Sequence, residues 1–255
     1  MLKICKAVLL VYCILVFIVI FAFIRCIFFS CKRRRQLVMS YAIHAFGRVA
    51  LFIVGIRLSI DGSAASLRKG VFFITNHVSY LDGIVAAGMF PLIFISRGDL
   101  KTWPLFGIFS SLSETIFVNR IGSSGICQEI ERIGGTLKNG VSVILFPEGT
   151  TTEGNGMIPF KSSFFQAPIE SGSCIVPFTI RYTKVNGRPL DANNKDSIFW
   201  YGDMEFAPHL FQLMGLRSIE VQVRILEPVK SAAIGDRKAL GNLCQKVIQD
   251  SLSAQ

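Results

Sequence analysis

The chain of 255 residues has room for one large domain and a membrane anchor. Hydrophobic residues make up 51% of it and the mean hydropathy is +0.50, which excludes an ordinary soluble domain. The formal net charge of +10 favours an anionic partner. Because signatures such as zinc-finger spacing are missing, we expect membrane lipid rather than nucleic acid as that partner.

The N-terminal segment predicts a membrane-spanning helix. Residues 7–24 contain no charge, and beyond Arg25 the apolar run continues to Phe29. At a rise of about 1.5 Å per residue this run spans about 34 Å, enough to cross a bilayer core of about 30 Å. Residues 28–31 are too bulky for the cleavage site of a secretory signal peptide, which is the alternative. We therefore predict that residues 1–31 form a single-pass anchor.

Basic residues follow the anchor and indicate its orientation. Residues 32–35 are one lysine and three arginines, which predicts that the following domain lies on the cytoplasmic face. The segment 36–56 is again apolar, but Arg48 at a bilayer centre would cost roughly 2.5–3.5 kcal/mol. We predict a basic collar and membrane-associated helices at residues 32–70, although a second span stays open, and a separate domain at residues 71–255.

From residue 71 onward, strand patterns alternate with helix patterns. Short apolar runs predict strands at residues 71–75, 92–96, 115–118, 141–146, 174–180 and 219–226. Apolar residues at helical spacing predict a helix at residues 126–137, ended by Asn139 and Gly140, and a last helix around residues 240–248. This alternation predicts an α/β fold with a mixed central sheet covered by helices.

The first marked motif is N-H-V-S-Y-L-D at residues 76–82, directly after a predicted strand. Ser79 and Asp82 have the spacing of a capping box, which predicts a helix that begins at Ser79. His77 then precedes the helix and can fold back onto Asp82, which would fix one ring nitrogen and leave the other as a base. The alternative is a histidine that only caps or packs.

The second motif is F-P-E-G-T-T-T at residues 146–152, also after a predicted strand. Pro147 fixes the backbone and Gly149 allows a tight turn, so Glu148 between them is presented at the end of the strand. Its carboxylate can accept hydrogen bonds from substrate hydroxyls, and Thr150 adds a hydroxyl and a backbone N–H. The alternative is a plain turn that ends the strand.

Cationic residues follow later strands. Arg120 comes just after a short strand in F-V-N-R, and its guanidinium suits a phosphate group. Lys161 is a further candidate of the same kind, and each could instead be an ordinary surface cation. The seven cysteines form no C-x-x-C pair, so we expect reduced thiols and no metal site.

Together these blocks resemble a known family. N-H-x-S-x-x-D, F-V-x-R, F-P-E-G-T and a later V-P-F occur in this order within residues 71–180. They look like the motifs of the glycerophospholipid acyltransferases of the lysophosphatidate acyltransferase type. The resemblance implies transfer of a fatty acyl group from acyl-CoA or acyl-carrier protein to a lysolipid hydroxyl, with 1-acyl-glycerol-3-phosphate as the expected acceptor. It also implies an N-terminal two-helix membrane motif and no cofactor besides the acyl donor.

The resemblance further implies a role for each motif residue. His77 would be the general base, and Asp82 would be its partner. The glycerol-phosphate site would contain Arg120, Glu148 and Gly149. We add four candidate substrate-binding residues from the same motifs and their surroundings: Asn76, Ser79, Thr150 and Lys161.

This chain departs from the family pattern at two glycines. It has Ser113 and Glu114 before the second block, and Ser163 after the third. Three further stretches resemble the branch that acylates lyso-ornithine lipid, whose headgroup has no phosphate: residues 158–165, 200–204 and 208–210. Lyso-ornithine lipid therefore stays open as an alternative acceptor.

We predict direct transfer without an acyl-enzyme, in which His77 deprotonates the acceptor hydroxyl as it attacks the thioester. Three other functions stay open, of which one is nucleic-acid binding through the basic residues 32–35. A hydrolase would use the same pair of residues on water, and a non-catalytic adaptor at the membrane surface would keep both motifs only as turns.

Overall fold

A computed structural model describes residues 1–63, 70–118 and 125–254 of the chain. These residues include eight α-helices, which account for both predicted helices and for most of the N-terminal segment. The helices are α1 Leu2–Ile27, α2 Lys32–Val54, α3 Leu81–Met89, α4 Phe106–Leu112, α5 Ile126–Lys138, α6 Gln166–Ser171, α7 Phe206–Leu213 and α8 Arg237–Ser253.

The described residues contain nine strands, and all of them belong to one sheet. The strands are β1 Ile56–Asp61, β2 Phe72–Thr75, β3 Leu92–Arg97, β4 Ile116–Val118, β5 Ser142–Leu145, β6 Cys174–Val185, β7 Arg188–Pro189, β8 Ile219–Ile225 and β9 Val229–Lys230. The order across the sheet is β1-β8-β6-β2-β5-β3-β4, and β7 and β9 pair with β6. The sheet is mixed, since β6, β2, β5, β3 and β4 run parallel while β8 is antiparallel to β6. The predicted α/β class is confirmed.

The pattern missed three strands, β1 and the two-residue strands β7 and β9, and the length of β6. β1 falls in the segment predicted to form a collar and membrane-associated helices, yet it pairs in parallel with β8. Only Ile56 of this edge strand is buried, so its sequence lacks the apolar run of a central strand. β6 was predicted to end at residue 180 and continues to Val185. The sheet thus begins before residue 71, while the predicted three-part division of the chain stays a prediction.

The two N-terminal helices pack on the sheet domain and not only on each other. The basic residues 32–35, predicted as a separate collar, form the first turn of α2. α2 lies against α3 so closely that a Cβ atom added to Gly47 would collide with the backbone of Gly88. At the same contact, His44 Nδ1 bonds the carbonyl oxygen of Ala87 at 2.8 Å. Small residues therefore set the distance between these helices.

Charged side chains bind α1 to the domain near both of its ends. Lys6 Nζ donates to the carbonyl oxygen of Leu216 in the domain and to that of Val54 at the end of α2, both at 2.7 Å. Arg25, in the last turn, and Arg35 of α2 both donate to one oxygen of Glu114, at 2.9 and 3.0 Å. Glu114 has a φ of 62°, in the left-handed region that favours glycine, and it lies where the resembled family usually carries glycine. The Glu114 side chain thus connects α1 and α2 to the domain through its two ion pairs.

The outward face of α1 is apolar. Val8, Tyr12, Val19 and Phe23 recur at helical spacing and are 63–68% exposed. On α2, Phe52 is 84% exposed. Both helices are long and apolar enough to cross a membrane, judged by length and composition. Exposed apolar surface of this extent indicates contact with lipid.

Candidate active site

The two sequence motifs leave the sheet side by side. Ile74 of β2 pairs with Leu145 of β5 in parallel, so the loops that follow the two strands start at the same edge. Ligands of open α/β sheets bind at this carboxyl edge. His77 N donates to Glu148 Oε1 at 2.8 Å, which joins the first loop to the second. The two motifs therefore meet at this edge of the sheet.

The imidazole of His77 is held by a buried acid. Its Nδ1 lies 2.9 Å from Asp82 Oδ2, and its ring stacks on Phe146 with the centroids 4.2 Å apart. The His77 side chain is 19% exposed and that of Asp82 is 0% exposed. Because the carboxylate accepts, Nδ1 carries the proton, and Nε2 has no hydrogen-bond partner within the described residues. Nε2 is thus available as a base on a partly exposed ring.

Four donors surround the buried carboxylate of Asp82. Oδ2 accepts from His77 Nδ1 and from the backbone N–H groups of Val78 and Ser79, at 2.8 and 2.9 Å. Oδ1 accepts from the hydroxyl of Tyr182 at 2.7 Å. A buried charge needs such donors to offset its loss of water. Tyr182 was missed by the sequence analysis, since it lies 100 residues away and in no motif.

The start of α3 differs from the predicted capping box. The helix begins at Leu81 with Tyr80 as its N-cap, so the prediction that Ser79 is the N-cap is wrong. Ser79 Oγ accepts from the backbone N–H of Leu81 at 3.3 Å and donates to the carbonyl oxygen of Ile198 at 2.7 Å. The contact with Ile198 joins this turn to a segment 119 residues away, which local spacing cannot reveal. Asp82 still lies in the first turn and still reaches back to the backbone N–H of Ser79.

Glu148 links three segments of the site from a buried position. Its Oε1 accepts from His77 N at 2.8 Å and its Oε2 from Ile158 N at 3.1 Å. Burial raises the pKa of this carboxyl above its ordinary value, and the two N–H groups, first that of Ile158, act against the increase. With 1% exposure, the side chain holds the His77 loop in place. Its predicted contact with substrate hydroxyls stays a prediction.

We expect Glu148→Gln to reduce both stability and activity. An amide offers one acceptor oxygen, so either His77 N or Ile158 N loses its partner and faces an NH₂ group. A buried donor left without an acceptor costs about 1–3 kcal/mol. Thermal unfolding and initial rates measure the two effects. Glu153→Gln changes a 53% exposed side chain in the same loop and is the matched control. If the two variants had the same stability and the same rate, Glu148 would not hold the His77 loop in place.

A second connection between the loops lies beyond the glycine. Gly149 has a φ of 79°, a conformation that side chains other than glycine rarely adopt. The chain then turns so that Thr152 N donates to the carbonyl oxygen of His77 at 3.0 Å. The backbone of His77 is therefore bonded on both sides by the second motif.

The other predicted site residues lie in different settings. Asn76 is 4% exposed and bonds both backbone groups of Ile180, at 2.9 and 3.0 Å. Thr150 is exposed at the end of the second loop, and Lys161 is exposed while its backbone N–H donates to that loop. Arg120 lies outside the described residues. The assignment of these residues, and of Ser79, to substrate binding stays a prediction.

An aromatic cluster packs beside the first loop. Trp200 N donates to the carbonyl oxygen of Val78 at 3.0 Å, and the Tyr80 hydroxyl bonds His209 Nδ1 at 2.8 Å. His209 Nε2 faces the carbonyl oxygen of Asp196 at 3.1 Å, so this nitrogen carries the proton. Burial lowers the pKa of His209, which favours the neutral ring. These contacts hold the outer side of the His77 loop.

Comparisons with known proteins agree with this geometry. The family model described as Acyltransferase matches residues 57–181. A protein of Rhizobium meliloti named lyso-ornithine lipid O-acyltransferase is 31% identical over 237 residues, covering 90% of this chain and 79% of its own. A protein of Brucella abortus with the same name is 32% identical over 218 residues, covering 82% and 80%.

Two further proteins carry another name. The 1-acyl-sn-glycerol-3-phosphate acyltransferase of Neisseria gonorrhoeae is 28% identical over 208 residues, covering 82% of this chain and 79% of its own. The crystal structure of the 1-acyl-sn-glycerophosphate acyltransferase of Thermotoga maritima has a TM-score of 0.66 at 19% identity, covering 100% and 99%. At this identity, the structural match supports the fold.

Proposed function

The chain belongs to the glycerophospholipid acyltransferase family, and we propose that it acylates 1-acyl-glycerol-3-phosphate to give phosphatidate. It is an O-acyltransferase that transfers a fatty acyl group to the hydroxyl of a lysolipid in lipid synthesis. The observation that carries the chemistry is the contact of 2.9 Å between His77 Nδ1 and Asp82 Oδ2 at the carboxyl edge of the sheet.

His77 acts as the general base in a direct transfer. Its Nε2 takes the proton of the acceptor hydroxyl while the hydroxyl oxygen attacks the thioester carbonyl carbon. The tetrahedral intermediate collapses, the C–S bond breaks, and the imidazolium returns the proton to the thiolate. Asp82 stabilises the imidazolium between these steps. A positioned base of this kind contributes about 10²–10⁴-fold to the rate.

Charge and motif support a phosphate-bearing acceptor. The net charge of +10 and the arginine of F-V-N-R, Arg120, suit the phosphate of a 1-acyl-glycerol-3-phosphate. The relative from Neisseria gonorrhoeae is named for this acceptor. The donor is the thioester of acyl-CoA or acyl-carrier protein, and the reaction takes no other cofactor.

Lyso-ornithine lipid is the second candidate acceptor. The relatives that are 31 and 32% identical carry that name and are matched over 79 and 80% of their length. This acceptor also presents a hydroxyl to the same base, so the chemistry of His77 is unchanged. The difference between the two acceptors lies in the headgroup, which has a phosphate in one and none in the other.

The N-terminal helices hold the enzyme at the membrane. The exposed apolar faces of α1 and α2 contact lipid, and the basic start of α2 lies on the cytoplasmic side together with the catalytic domain. Because Lys6 and Arg25 bind α1 to the domain near both ends, the anchor keeps the site close to the lipid surface. A lysolipid can then reach His77 without leaving the membrane.

The acceptor is tested with the full chain in vesicles that contain either lysolipid, with acyl-CoA or acyl-carrier protein, analysed by mass. We expect phosphatidate to form at least about tenfold faster than acylated ornithine lipid, since an arginine that pairs with the phosphate, as proposed for Arg120, has no such partner in an acceptor without one. Conversion of lyso-ornithine lipid alone would overturn this acceptor and keep the transfer chemistry. Release of free fatty acid without an acylated lipid would make the protein a hydrolase.

A further inference from the structure

Tyr182 is a buried residue of β6 whose hydroxyl touches the acid of the site. It donates to Asp82 Oδ1 at 2.7 Å, and the residue is 4% exposed. The three remaining donors, from His77, Val78 and Ser79, all bind Oδ2. Within the described part of the chain, the Tyr182 hydroxyl is thus the one group that holds Oδ1.

We propose that Tyr182 is a positioning residue of the acyl transfer, which acts through Asp82 on the basicity of His77. This inference rests on the function proposed above. A phenol that donates to the carboxylate takes part of its negative charge, and so limits how strongly Asp82 stabilises the protonated imidazole. It also stops the carboxylate from rotating about its Cβ–Cγ bond, which keeps Oδ2 on the imidazole.

Two features of the fold direct the Tyr182 side chain toward Asp82. The ladder between β2 and β6 ends at Phe178, but Asn76 continues the connection by bonding both backbone groups of Ile180. This contact fixes β6 at Ile180, two residues before Tyr182. Because side chains alternate along a strand, Ile180 and Tyr182 lie on the same face of the sheet. The pairing of β6 with β8 is irregular between Tyr182 and Lys184, and such bulges redirect neighbouring side chains.

The protonation states around Asp82 agree with donation by Tyr182. Burial, and then the charge of Asp82, raise the pKa of Tyr182 well above its ordinary value, so the phenol keeps its proton. The other titratable groups that face Asp82 in the described residues are His77 and Glu148. Tyr80 is also close, but its hydroxyl is bonded to a histidine of α7. The phenol of Tyr182 is therefore the neutral donor through which Asp82 changes the basicity of His77.

The test compares Tyr182→Phe with Tyr201→Phe in the full-length enzyme. Both changes remove a hydroxyl that binds an aspartate, but Tyr201 binds Asp196 at the surface, at 2.9 Å. We expect Tyr182→Phe to lower kcat about tenfold, as for the loss of one hydrogen bond to a charged group, and to leave KM for the lysolipid unchanged. We expect Tyr201→Phe to match the wild type.

The discriminating readout is the titration of His77. Reaction of its imidazole with diethyl pyrocarbonate, followed by mass across a pH series, measures the free-base fraction without any need for activity. In Tyr182→Phe, Asp82 holds the imidazolium more strongly, so we expect the midpoint to move upward by about 0.5–1 pH unit. The acid limb of the kcat profile should move in the same direction.

A second variant gives the opposite sign and keeps the fold. Replacing Tyr182 with 3,5-difluorotyrosine retains the shape and makes the phenol a stronger donor, so the His77 midpoint should move downward. An unchanged midpoint in this folded variant would overturn the proposal and leave Tyr182 a packing residue. If the His77 imidazole of the wild-type enzyme reacted with diethyl pyrocarbonate along a titration curve but the enzyme transferred no acyl group, the proposed function would be overturned instead. The His77 midpoints of the two Tyr182 variants would still decide the role of Tyr182.

Discussion

Replacing His77 with alanine is expected to lower kcat for acyl transfer by about 10²–10⁴-fold, the contribution of a positioned general base. The variant should still fold, since the side chain is partly exposed and Asp82 keeps the backbone donors of Val78 and Ser79. Initial rates of lysolipid acylation in vesicles measure the loss, and circular dichroism with thermal unfolding measures the fold.

The matched control for this change is His44→Gln. His44 lies in α2 and bonds the carbonyl oxygen of Ala87, which a glutamine amide can also do. We expect its rate to equal that of the wild type. If His77→Ala folded and kept the full rate of acylation, His77 would not be the general base and its motif would be a structural turn.

Replacing Asp82 with asparagine is expected to lower kcat by about 10²-fold or more while the protein stays folded. The amide oxygen can take the place of Oδ2 and accept the three N–H groups there. The NH₂ group can then donate to the Tyr182 oxygen. What is lost is the negative charge that stabilises the imidazolium. The midpoint of the His77 titration should therefore move to lower pH, opposite to its movement in Tyr182→Phe.

Asp82→Ala separates this electrostatic effect from a structural one. Alanine leaves Val78 N and Ser79 N without an acceptor in a buried place, at a cost of about 1–3 kcal/mol for each unpaired donor. We expect a clear fall in the free energy of unfolding for Asp82→Ala and a small one for Asp82→Asn. If Asp82→Asn were as active as the wild type, the negative charge of Asp82 would not be needed for the transfer.

Much of the site could be predicted because its chemistry lies within short motifs. The pair of His77 and Asp82 is five residues apart, and one helix start is enough to join the two side chains. Apolar runs also predicted six strands of the sheet, since buried strands have a continuous pattern. The edge strand β1 was not predicted because it buries one residue. The N-cap was placed at Ser79 and not at Tyr80, because local spacing does not fix a helix boundary to the exact residue.

The roles of several site residues depend on contacts that no motif contains. Glu148, whose contact with substrate stays a prediction, accepts two backbone N–H groups from inside the protein. Asn76 clamps β6 at Ile180, 104 residues away. Burial and long-range partners decided these roles, and local spacing carries no information about either.

The amino-acid sequence by itself determined the apolar N-terminal helices, the α/β class and the pairing of His77 with Asp82, since apolar periodicity and local motif spacing act over a few residues. Only the tertiary structure decided that α1 is bound to the domain near both ends and that Tyr182 completes the shell around Asp82. Both depend on contacts between residues far apart in the chain, 89 residues for Arg25 and Glu114 and 100 residues for Asp82 and Tyr182. Sheet pairing and packing produce that proximity, and the order of residues along the chain does not express it.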